Sequence, residues 1–437
     1  MSTRTLDVYV AGLMVGTLAE ENNRCVFTYL PDVPEDRFVS LLMPVRAQSY
    51  TWNGLPPFFA MNLPEGFKKD VLRRRLGPHA DVSDFGLLAL TGANTIGRVQ
   101  VVSHGSSLEA AADRADMASL LASTDSRDNL LRLLESGVTE GVSGVMPKAL
   151  ASPDDKATIW TEEFILKTGF DDLPGLAPNE YLCLEVARHA GLEVPETRLS
   201  DDGQVLAVRR FDRSNGHMTA FEDYCSLKGV DPVNKYKGSL EELAKLTQTY
   251  VPRPRFKEAA RQLFTLLMLN YAVRNADGHL KNFALVYNNR DDVRLAPVYD
   301  VLTATVYPAL KHDRPALDLY GKRVWTSGQL LANYGGARLG LSKGDMTDSF
   351  DRVAAAIHAV SPLVAEFAGR YPDFREVGKR MLDAWGAGIE DIKLDAKPGK
   401  STPAPLRQRM GMSCPKDDRK KANPYVNADG AFSHKSR

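Results

Sequence analysis

Four polar residues that could do chemistry lie within the short stretch RNADGHLKN: Asp277, His279, Lys281 and Asn282. A strongly apolar segment before the stretch predicts a buried helix, and a predicted two-strand hairpin after it ends on Asp300. An Asp can orient and deprotonate a hydroxyl group. An Asn and a second Asp supply oxygen ligands of the kind that Mg²⁺ takes. Each side chain alone is more often a turn cap or a strand-end carboxylate, so the chemistry depends on their combination.

The order of these residues is the one that protein kinases use. In those enzymes a catalytic-loop Asp holds the acceptor hydroxyl, an Asn five residues later binds Mg²⁺, and an Asp after a hairpin binds Mg²⁺ as well. Asp277, Asn282 and Asp300 occur in that order. Together they predict phosphoryl transfer from ATP with Mg²⁺. We also expect the Asp277 side chain to be exposed and to make no core contact.

Upstream of this stretch, a lysine and a glutamate fit the same chemistry. Lys167 ends the apolar segment FILK, where it could pair with ATP phosphates. Glu180 begins the next predicted helix and could pair with Lys167. A carboxylate at a helix N-terminus is also favoured by the helix dipole alone, so Glu180 fits both interpretations equally.

A glycine-rich segment, GVSGVMPK, precedes Lys167 in the chain. Successive backbone N–H groups in such a segment can bind phosphate, although a plain flexible loop gives the same pattern. The candidate ATP-binding residues in this segment are Gly141, Val142, Ser143, Gly144, Val145 and Lys148. The later segment LAVRRF, which contains Arg209 and Phe211, would form the hinge that holds the adenine.

Length and composition limit the class of protein. The chain has 437 residues, a hydrophobic content of 43% and a formal net charge of zero, which predicts two or three globular domains and no net field that attracts nucleic acid or membrane. The four cysteines form no C-x-x-C pair. No apolar signal segment and no membrane-spanning run occurs, so we expect a reducing, cytoplasmic setting without membrane contact.

Pattern changes along the chain predict an α+β organisation. A β-meander opens the chain, a helical segment follows between Pro64 and Gly77, and a short helix is expected to end at Gly137. A hairpin turns at Asp202–Gly203, and the later half is mostly helical, with the strands NFALVY and VRLAPVYD inside it. The predicted parts are an N-terminal β-rich subdomain (1–102), a linker (103–128), a unit with the glycine-rich loop and hinge (129–213), a helical unit (214–396) and a basic, disordered tail (397–437).

In these motifs the sequence resembles the HipA family of serine/threonine protein kinases, the toxins of bacterial type II toxin–antitoxin pairs. The resemblance rests on GVSGVMPK, FILK, NEYLCLEVARHAGLEVP, LAVRRFDR, NADGHLKNFALV and LAPVYD, with FFAMNLPEG and IGRV nearer the N-terminus. It covers roughly residues 5–390. It implies a bilobal kinase-like fold with an added N-terminal β-rich subdomain and a mainly helical C-terminal lobe. General protein kinases carry His-Arg-Asp before the base, and this chain does not.

The resemblance implies a role for each matching residue. Asp277 would be the catalytic base, Asn282 and Asp300 would hold Mg²⁺, and Lys167 would contact the ATP phosphates. The supporting positions at the catalytic loop and at the adenine hinge would be His279, Lys281, Phe211 and Arg209. Some relatives carry an acidic residue where this chain has Arg209, so adenine contacts there would come from the backbone.

The resemblance also implies regulation and partners. Family members phosphorylate themselves on a serine of the glycine-rich loop, and Ser143 is the candidate here, although relatives often place that serine where this chain has Gly141. The implied partners are a protein substrate, with aminoacyl-tRNA synthetases among the family's known targets, and a small helix-turn-helix antitoxin (HipB-like) that would make most of the DNA contacts.

Two other functions stay open at the level of the sequence. One is an atypical kinase for a small molecule, against which the N-terminal segment 1–102 argues, because it resembles the toxin family's added domain. The other is a nucleotide-binding co-repressor that acts with a DNA-binding antitoxin. A pure scaffold has no need of a complete catalytic set, which consists here of Lys167, Asp277, Asn282 and Asp300.

Overall fold

The structure is a computed structural model of the chain. It describes residues 4–22, 24–63, 81–108, 117–140, 148–151, 156–161, 163–169, 172–308 and 314–394. These residues form an α+β fold with two five-stranded antiparallel sheets and a large helical unit. The helix predicted between Pro64 and Gly77 and the tail predicted after residue 396 lie outside the described residues.

The first sheet contains the predicted N-terminal meander. Its strands are β1 (Arg4–Val10), β2 (Leu13–Glu21), β3 (Arg24–Tyr29), β4 (Tyr50–Asn53) and β5 (Val99–Ser103), in the order β4-β3-β2-β1-β5. Alternation along the strands buries one face, on which Val8 and Phe27 are inaccessible to solvent. Two helices, α1 (Pro57–Ala60) and α2 (Asp84–Thr91), contribute aromatic and leucine side chains to the same core.

The second sheet carries Lys167. Its strands are β6 (Lys148–Ala151), β7 (Lys156–Trp160), β8 (Phe164–Gly169), β9 (Thr197–Leu199) and β10 (Leu206–Arg209), in the order β6-β7-β8-β10-β9. The helices beside this sheet are α3 (Met117–Leu121), α4 (Ser126–Glu140) and α5 (Leu176–His189). The predicted hairpin at Asp202–Gly203 is present as β9 and β10.

The end of α4 differs from the sequence prediction. We expected this helix to end at Gly137, but it continues to Glu140. A single glycine inside a helix costs only about 1 kcal/mol relative to alanine, so a glycine stops a helix only when other end signals accompany it. Gly137 has no proline close behind it and no basic residue in the turn before it, and Val138, Thr139 and Glu140 continue the helix.

The helical unit is built around one long buried helix. Its elements are α6 (Tyr224–Leu227), α7 (Leu240–Tyr250), α8 (Arg253–Ala272), α9 (Gly328–Leu339), α10 (Lys343–Arg370) and α11 (Arg375–Ile392). Every residue from Leu263 to Ala272 is buried, as the all-round apolar pattern predicted, and α8 packs against α7, α9, α10 and α11. The predicted capping box of Ser239 and Glu242 begins α7.

A small sheet inside this unit positions the catalytic stretch. Its strands are β13 (Ala220–Asp223), β14 (Ala284–Tyr287) and β15 (Arg294–Leu295), and a short hairpin of β11 (Arg213–Ser214) and β12 (His217–Met218) precedes them. The sequence predicted a strand from Val293 to Asp300, but β15 has only two residues. Pro297 cannot donate a ladder hydrogen bond, and Asp300 adopts a left-handed φ of 58°, so the chain leaves the sheet before the carboxylate.

Hydrogen bonds of Arg98 and Glu222 join the N-terminal unit to this small sheet. Arg98 donates to the carbonyl of Asn288 at 2.6 Å from the segment just before β5. Glu222 of β13 accepts hydrogen bonds from the hydroxyl of Ser40 at 2.6 Å and from the backbone N–H of Leu41 at 3.0 Å. In the described part of the chain, no helix has the length and apolar character needed to cross a membrane.

Candidate active site

The ammonium group of Lys167 lies between two carboxylates from distant segments. Its Nζ donates to Oε1 of Glu180 on α5 at 2.5 Å and to Oδ1 of Asp300 at 2.8 Å. The Glu180 side chain is 1% exposed and the Asp300 side chain 32% exposed, so the cluster opens to solvent on the Asp300 side. Of the two interpretations that the sequence left open for Glu180, the structure shows the pair with Lys167.

The charges in this cluster hold Lys167 in its protonated form. Burial alone would lower the pKa of the amine, but the adjacent Asp300 and Glu180 carboxylates outweigh burial and raise that pKa above its ordinary value. A permanently charged ammonium at this position can bind an anionic ligand such as a phosphate.

Asn282 joins the catalytic stretch to the Asp300 segment. Its side-chain Nδ2 donates to the backbone carbonyl of Asp277 at 2.9 Å and to that of Asp300 at 3.3 Å. Arg274, at the start of the stretch, and Asp300 both adopt a φ of 58°, in the left-handed region that non-glycine residues seldom occupy. Such conformations cluster at functional sites, where the surrounding structure maintains them.

Asp277 is buried, and the expectation of an exposed carboxylate was wrong. Only 8% of the residue is accessible, and the hydroxyl of Tyr236 donates to its Oδ1 at 2.6 Å. The backbone N–H of Asp277 donates to the side chain of Asn275 at 3.2 Å, and Asn275 in turn donates to Asn270 on α8 at 2.9 Å. The predicted base is thus fixed by polar contacts on both its side chain and its backbone.

His279 and Lys281 support the stretch in different ways. His279 places Nε2 4.0 Å from Oδ1 of Asp277 and is itself buried. Lys281 extends to the N-terminal unit, where its Nζ donates to the carbonyl of Met61 at 3.2 Å, while its own carbonyl accepts from the hydroxyl of Tyr299 at 2.7 Å. The N-terminal unit therefore contacts the catalytic stretch directly.

Of the two predicted hinge residues, the structure brings only Phe211 close to the cluster. Its ring packs 6.0 Å from that of Tyr299, the residue before Asp300. Lys167 pairs with Leu206 across the sheet, so Arg209 points to the opposite face, because strand side chains alternate. The Arg209 guanidinium is exposed there and pairs with Glu196 at 3.3 Å, so its side chain does not join the cluster.

Most of the predicted glycine-rich loop lies outside the described residues. This applies to Gly141, Val142, Ser143, Gly144 and Val145. The backbone of Lys148 begins β6, opposite Trp160 of β7. The structure thus places the end of this loop on the sheet that carries Lys167.

The chemistry of Asn282 and Asp300 fits a Mg²⁺ ion. The Asn282 amide nitrogen is turned toward two carbonyls, so the amide oxygen is the atom available to a cation. Asp300 adds a partly exposed carboxylate. Across the described residues, no group of three His, Cys, Asp or Glu side chains is placed to hold a metal ion. Mg²⁺ often takes only one or two protein oxygens and completes its shell with phosphate and water.

Sequence reasoning missed two residues that contact the catalytic stretch. Tyr236 lies 41 residues before Asp277, and Met61 lies 220 residues before Lys281. Met61 belongs to the motif FFAMNLPEG, but that motif gives no sign of a contact with the stretch, and Tyr236 belongs to none of the motifs. Their contacts arise only once the fold brings distant loops together, so no local signal could have identified them.

Comparison with solved structures defines the fold class. The HipA of Shewanella oneidensis, in a structure of that toxin–antitoxin system's HipA, HipB and operator DNA complex, is similar with a TM-score of 0.64 and 18% identity. The match covers 88% of this chain and 96% of that chain. The fold is therefore the predicted bilobal, kinase-like α+β fold with an added N-terminal β-rich subdomain and a mainly helical C-terminal lobe.

Comparison of sequences defines the family. Residues 6–102 match the family model of the HipA N-terminal domain, and residues 141–361 match that of the HipA-like C-terminal domain. Two proteins of Sinorhizobium fredii, Y4dM and Y4mE, both named "Putative kinase", are 30% and 28% identical to this chain. The alignments cover 69% and 82% of this chain, and 78% and 92% of those proteins. The chain belongs to the HipA family.

Proposed function

We propose that this chain is the kinase toxin of a toxin–antitoxin pair, and that it transfers the γ-phosphoryl group of ATP to a serine or threonine of a cellular protein. One observation carries the proposal. Lys167 is held between Glu180 and Asp300, while Asn282 ties the Asp300 segment to the Asp277 segment. Phosphoryl transfer needs this set, because catalysis there consists mainly of positioning and charge stabilisation.

The proposed step assigns one task to each polar group. Lys167 binds the ATP phosphates, and Asn282 and Asp300 hold Mg²⁺, which when bound neutralises charge on the phosphates. Asp277 orients the acceptor hydroxyl and takes its proton as the oxygen attacks the γ-phosphorus and ADP leaves. Further contacts to ATP or to the catalytic loop are assigned to His279, Lys281, Phe211, the backbone at Arg209, and the loop residues Gly141, Val142, Ser143, Gly144, Val145 and Lys148.

The division of the chain follows from these assignments. In the proposal, residues 129–213 form the lobe that covers ATP, residues 214–396 form the catalytic lobe, and residues 1–102 form the added subdomain with 103–128 as its linker. No task in the transfer step is assigned to the basic tail, 397–437. Ser143 is the proposed autophosphorylation site.

Partners are proposed from the family and its relatives. The structural neighbour is named as a complex of HipA, HipB and operator DNA, which supports a small HipB-like helix-turn-helix antitoxin for this chain as well. DNA contact would then occur mainly through the antitoxin. The acceptor is proposed to be a protein of the translation machinery, with an aminoacyl-tRNA synthetase as the first candidate.

Labelled ATP tests the proposal directly. The purified chain is incubated with Mg²⁺ and γ-labelled ATP, alone and with dephosphorylated casein as a general acceptor, and phosphorylated residues are mapped by mass spectrometry. Asp277→Asn keeps the shape of the side chain and the acceptor for Tyr236, so we expect a folded protein with no transfer. Asp348→Asn on the exposed face of α10 is the matched control and should label as the wild type does.

The outcomes separate the candidate functions. Label on serine or threonine in the wild type but not in Asp277→Asn supports the kinase, and loss of toxicity on expression in bacteria with the same variant supports the toxin. ATP binding without any label contradicts the kinase and points to a nucleotide-binding co-repressor. Equal label in both proteins removes Asp277 from the mechanism.

A further inference from the structure

A tyrosine outside the catalytic stretch makes a short side-chain contact to the proposed base. Tyr236 lies in the loop between a 3₁₀ turn, Pro232–Asn234, and α7. Its hydroxyl donates to Oδ1 of Asp277 at 2.6 Å, a length typical of a strong O–H donor on an ionised carboxylate. Its ring meets that of His279 edge to face, with centroids 5.0 Å apart.

The backbone on both sides of this tyrosine is anchored. The carbonyl of Lys235 accepts from the N–H of Leu280, inside the catalytic stretch, at 3.1 Å. The carbonyl of Tyr236 accepts from the guanidinium of Arg323, and Arg323 is held by Asp318 through a 2.7 Å hydrogen bond from Nε. The phenol therefore projects from a loop whose backbone is held at two consecutive residues.

An aspartate needs such a contact if one particular oxygen is to face a substrate. The last torsion of an Asp side chain is broad and roughly two-fold, so rotamer preference alone does not set the plane of the carboxylate. A hydrogen bond to Oδ1 sets that plane. Reacting groups must be held to within a fraction of an ångström, and a misplacement of about 1 Å can cost about 100-fold in rate.

We propose that Tyr236 is a positioning residue for phosphoryl transfer. Its hydroxyl holds Oδ1 of Asp277, so that Oδ2 is the oxygen that receives the proton of the acceptor hydroxyl. Arg323 and the Leu280 N–H keep the tyrosine in place for this task. This inference rests on the proposed function, because it assigns a role to Tyr236 only in a chain that transfers phosphate.

The same geometry has a competing interpretation that makes the opposite prediction. The phenol oxygen could occupy the place of the acceptor hydroxyl and block it. Removing the hydroxyl would then speed transfer. In a positioning role, removing it slows transfer and leaves the binding of ATP unchanged.

The test compares Tyr236→Phe with a control variant that loses a tyrosine hydroxyl at another position. Tyr50 donates to the carbonyl of Pro44 at 2.6 Å in the N-terminal unit, so Tyr50→Phe removes an equivalent hydrogen bond far along the chain from Asp277. For each protein we would measure the maximal rate of label incorporation from γ-labelled ATP with Mg²⁺, and the ATP concentration that gives half of that rate.

For Tyr236→Phe we expect a maximal rate about 10- to 100-fold lower with a half-saturating ATP concentration within about twofold of wild type. Tyr50→Phe should match wild type in both values. A Tyr236→Phe rate that is unchanged or higher overturns the inference while the kinase proposal stands. A wild type that transfers no phosphate to itself or to casein overturns both.

Arg323 provides a second test that does not depend on altering the tyrosine itself. Arg323→Lys loses the forked geometry that joins Asp318 to the Tyr236 carbonyl. It should lower the maximal rate in the wild-type background and have little further effect in the Tyr236→Phe background, because both changes act through one contact. If Arg323→Lys lowers the maximal rate by the same factor in both backgrounds, Arg323 does not act through Tyr236.

Discussion

Oδ1 of Asp300 lies 2.8 Å from Nζ of Lys167, a residue 133 positions earlier in the chain. The contact joins the sheet that carries Lys167 to the segment after β15, and Asn282 joins that segment to the catalytic stretch. Hydrogen bonds thus link Lys167, the predicted phosphate-binding cation, to the Asp300 segment, and link that segment through Asn282 to Asp277, the predicted base. Changes to these groups should therefore affect both stability and catalysis.

Removing the lysine should destabilise the fold as well as stop catalysis. Lys167→Met leaves Glu180, which is 1% exposed, as a buried carboxylate without its cation. Breaking a buried ion pair on one side costs about 3–5 kcal/mol of unfolding free energy. Urea denaturation would measure this loss, and adding Glu180→Met should restore most of it. The control is Lys379→Met, which removes an exposed pair with Glu376 and should cost under about 1 kcal/mol.

Replacing the Asn282 amide should break the link between the Asp277 segment and the Asp300 segment. In Asn282→Asp, a carboxylate oxygen would face the carbonyls of Asp277 and Asp300, where an N–H group now donates to both. We expect a loss of about 1–3 kcal/mol in unfolding free energy and at least about a 100-fold loss of phosphoryl transfer. Asn333→Asp is the control, since Asn333 uses its amide oxygen as an acceptor and Asp keeps that oxygen. Full transfer by Asn282→Asp would contradict the linking role.

The sequence predicted the parts of the site whose signals are local. Asp277, His279, Lys281 and Asn282 fall within one short loop, and the helix before them is recognisable because its apolar pattern is continuous. The pairing of Lys167 with Glu180 was one of two interpretations that the sequence left open for Glu180.

What the sequence did not predict depends on contacts between distant segments. The side chain of Asp277 accepts a hydrogen bond from Tyr236, and Lys281 donates to the carbonyl of Met61 in the N-terminal unit. Side-chain alternation put Arg209 on the far face of the sheet, and this could be known only after the register with Lys167 was seen. Composition and periodicity contain no information on such contacts.

A buried arginine should be essential for attachment of the N-terminal unit. The guanidinium of Arg210 is inaccessible to solvent and donates to both oxygens of Asp212, at 3.0 and 2.6 Å, and to the carbonyl of Thr95 at 2.8 Å. Lysine cannot reproduce this forked geometry, so Arg210→Lys should lower the unfolding free energy by about 3 kcal/mol. The measurement is chemical denaturation beside Arg198→Lys, an exposed pair with Glu196 that should change little. Equal effects of the two substitutions would refute the assignment.

Glu222, which joins the N-terminal unit to the small sheet, should make the free energy of unfolding depend on pH. Burial raises the pKa of Glu222 from 4.5 to about 7, although Ser40, Leu41 and two further donors favour its ionised form. The unfolded chain releases this proton near pH 4.5, whereas the folded chain keeps it to about pH 7. The contribution of Glu222 to the free energy of unfolding is therefore full below pH 4.5 and is lost as the pH rises to 7. The loss is about 3 kcal/mol. Urea midpoints of wild type and Glu222→Gln at pH 5, 6 and 7.5 should therefore diverge, whereas parallel profiles would contradict the shifted carboxyl.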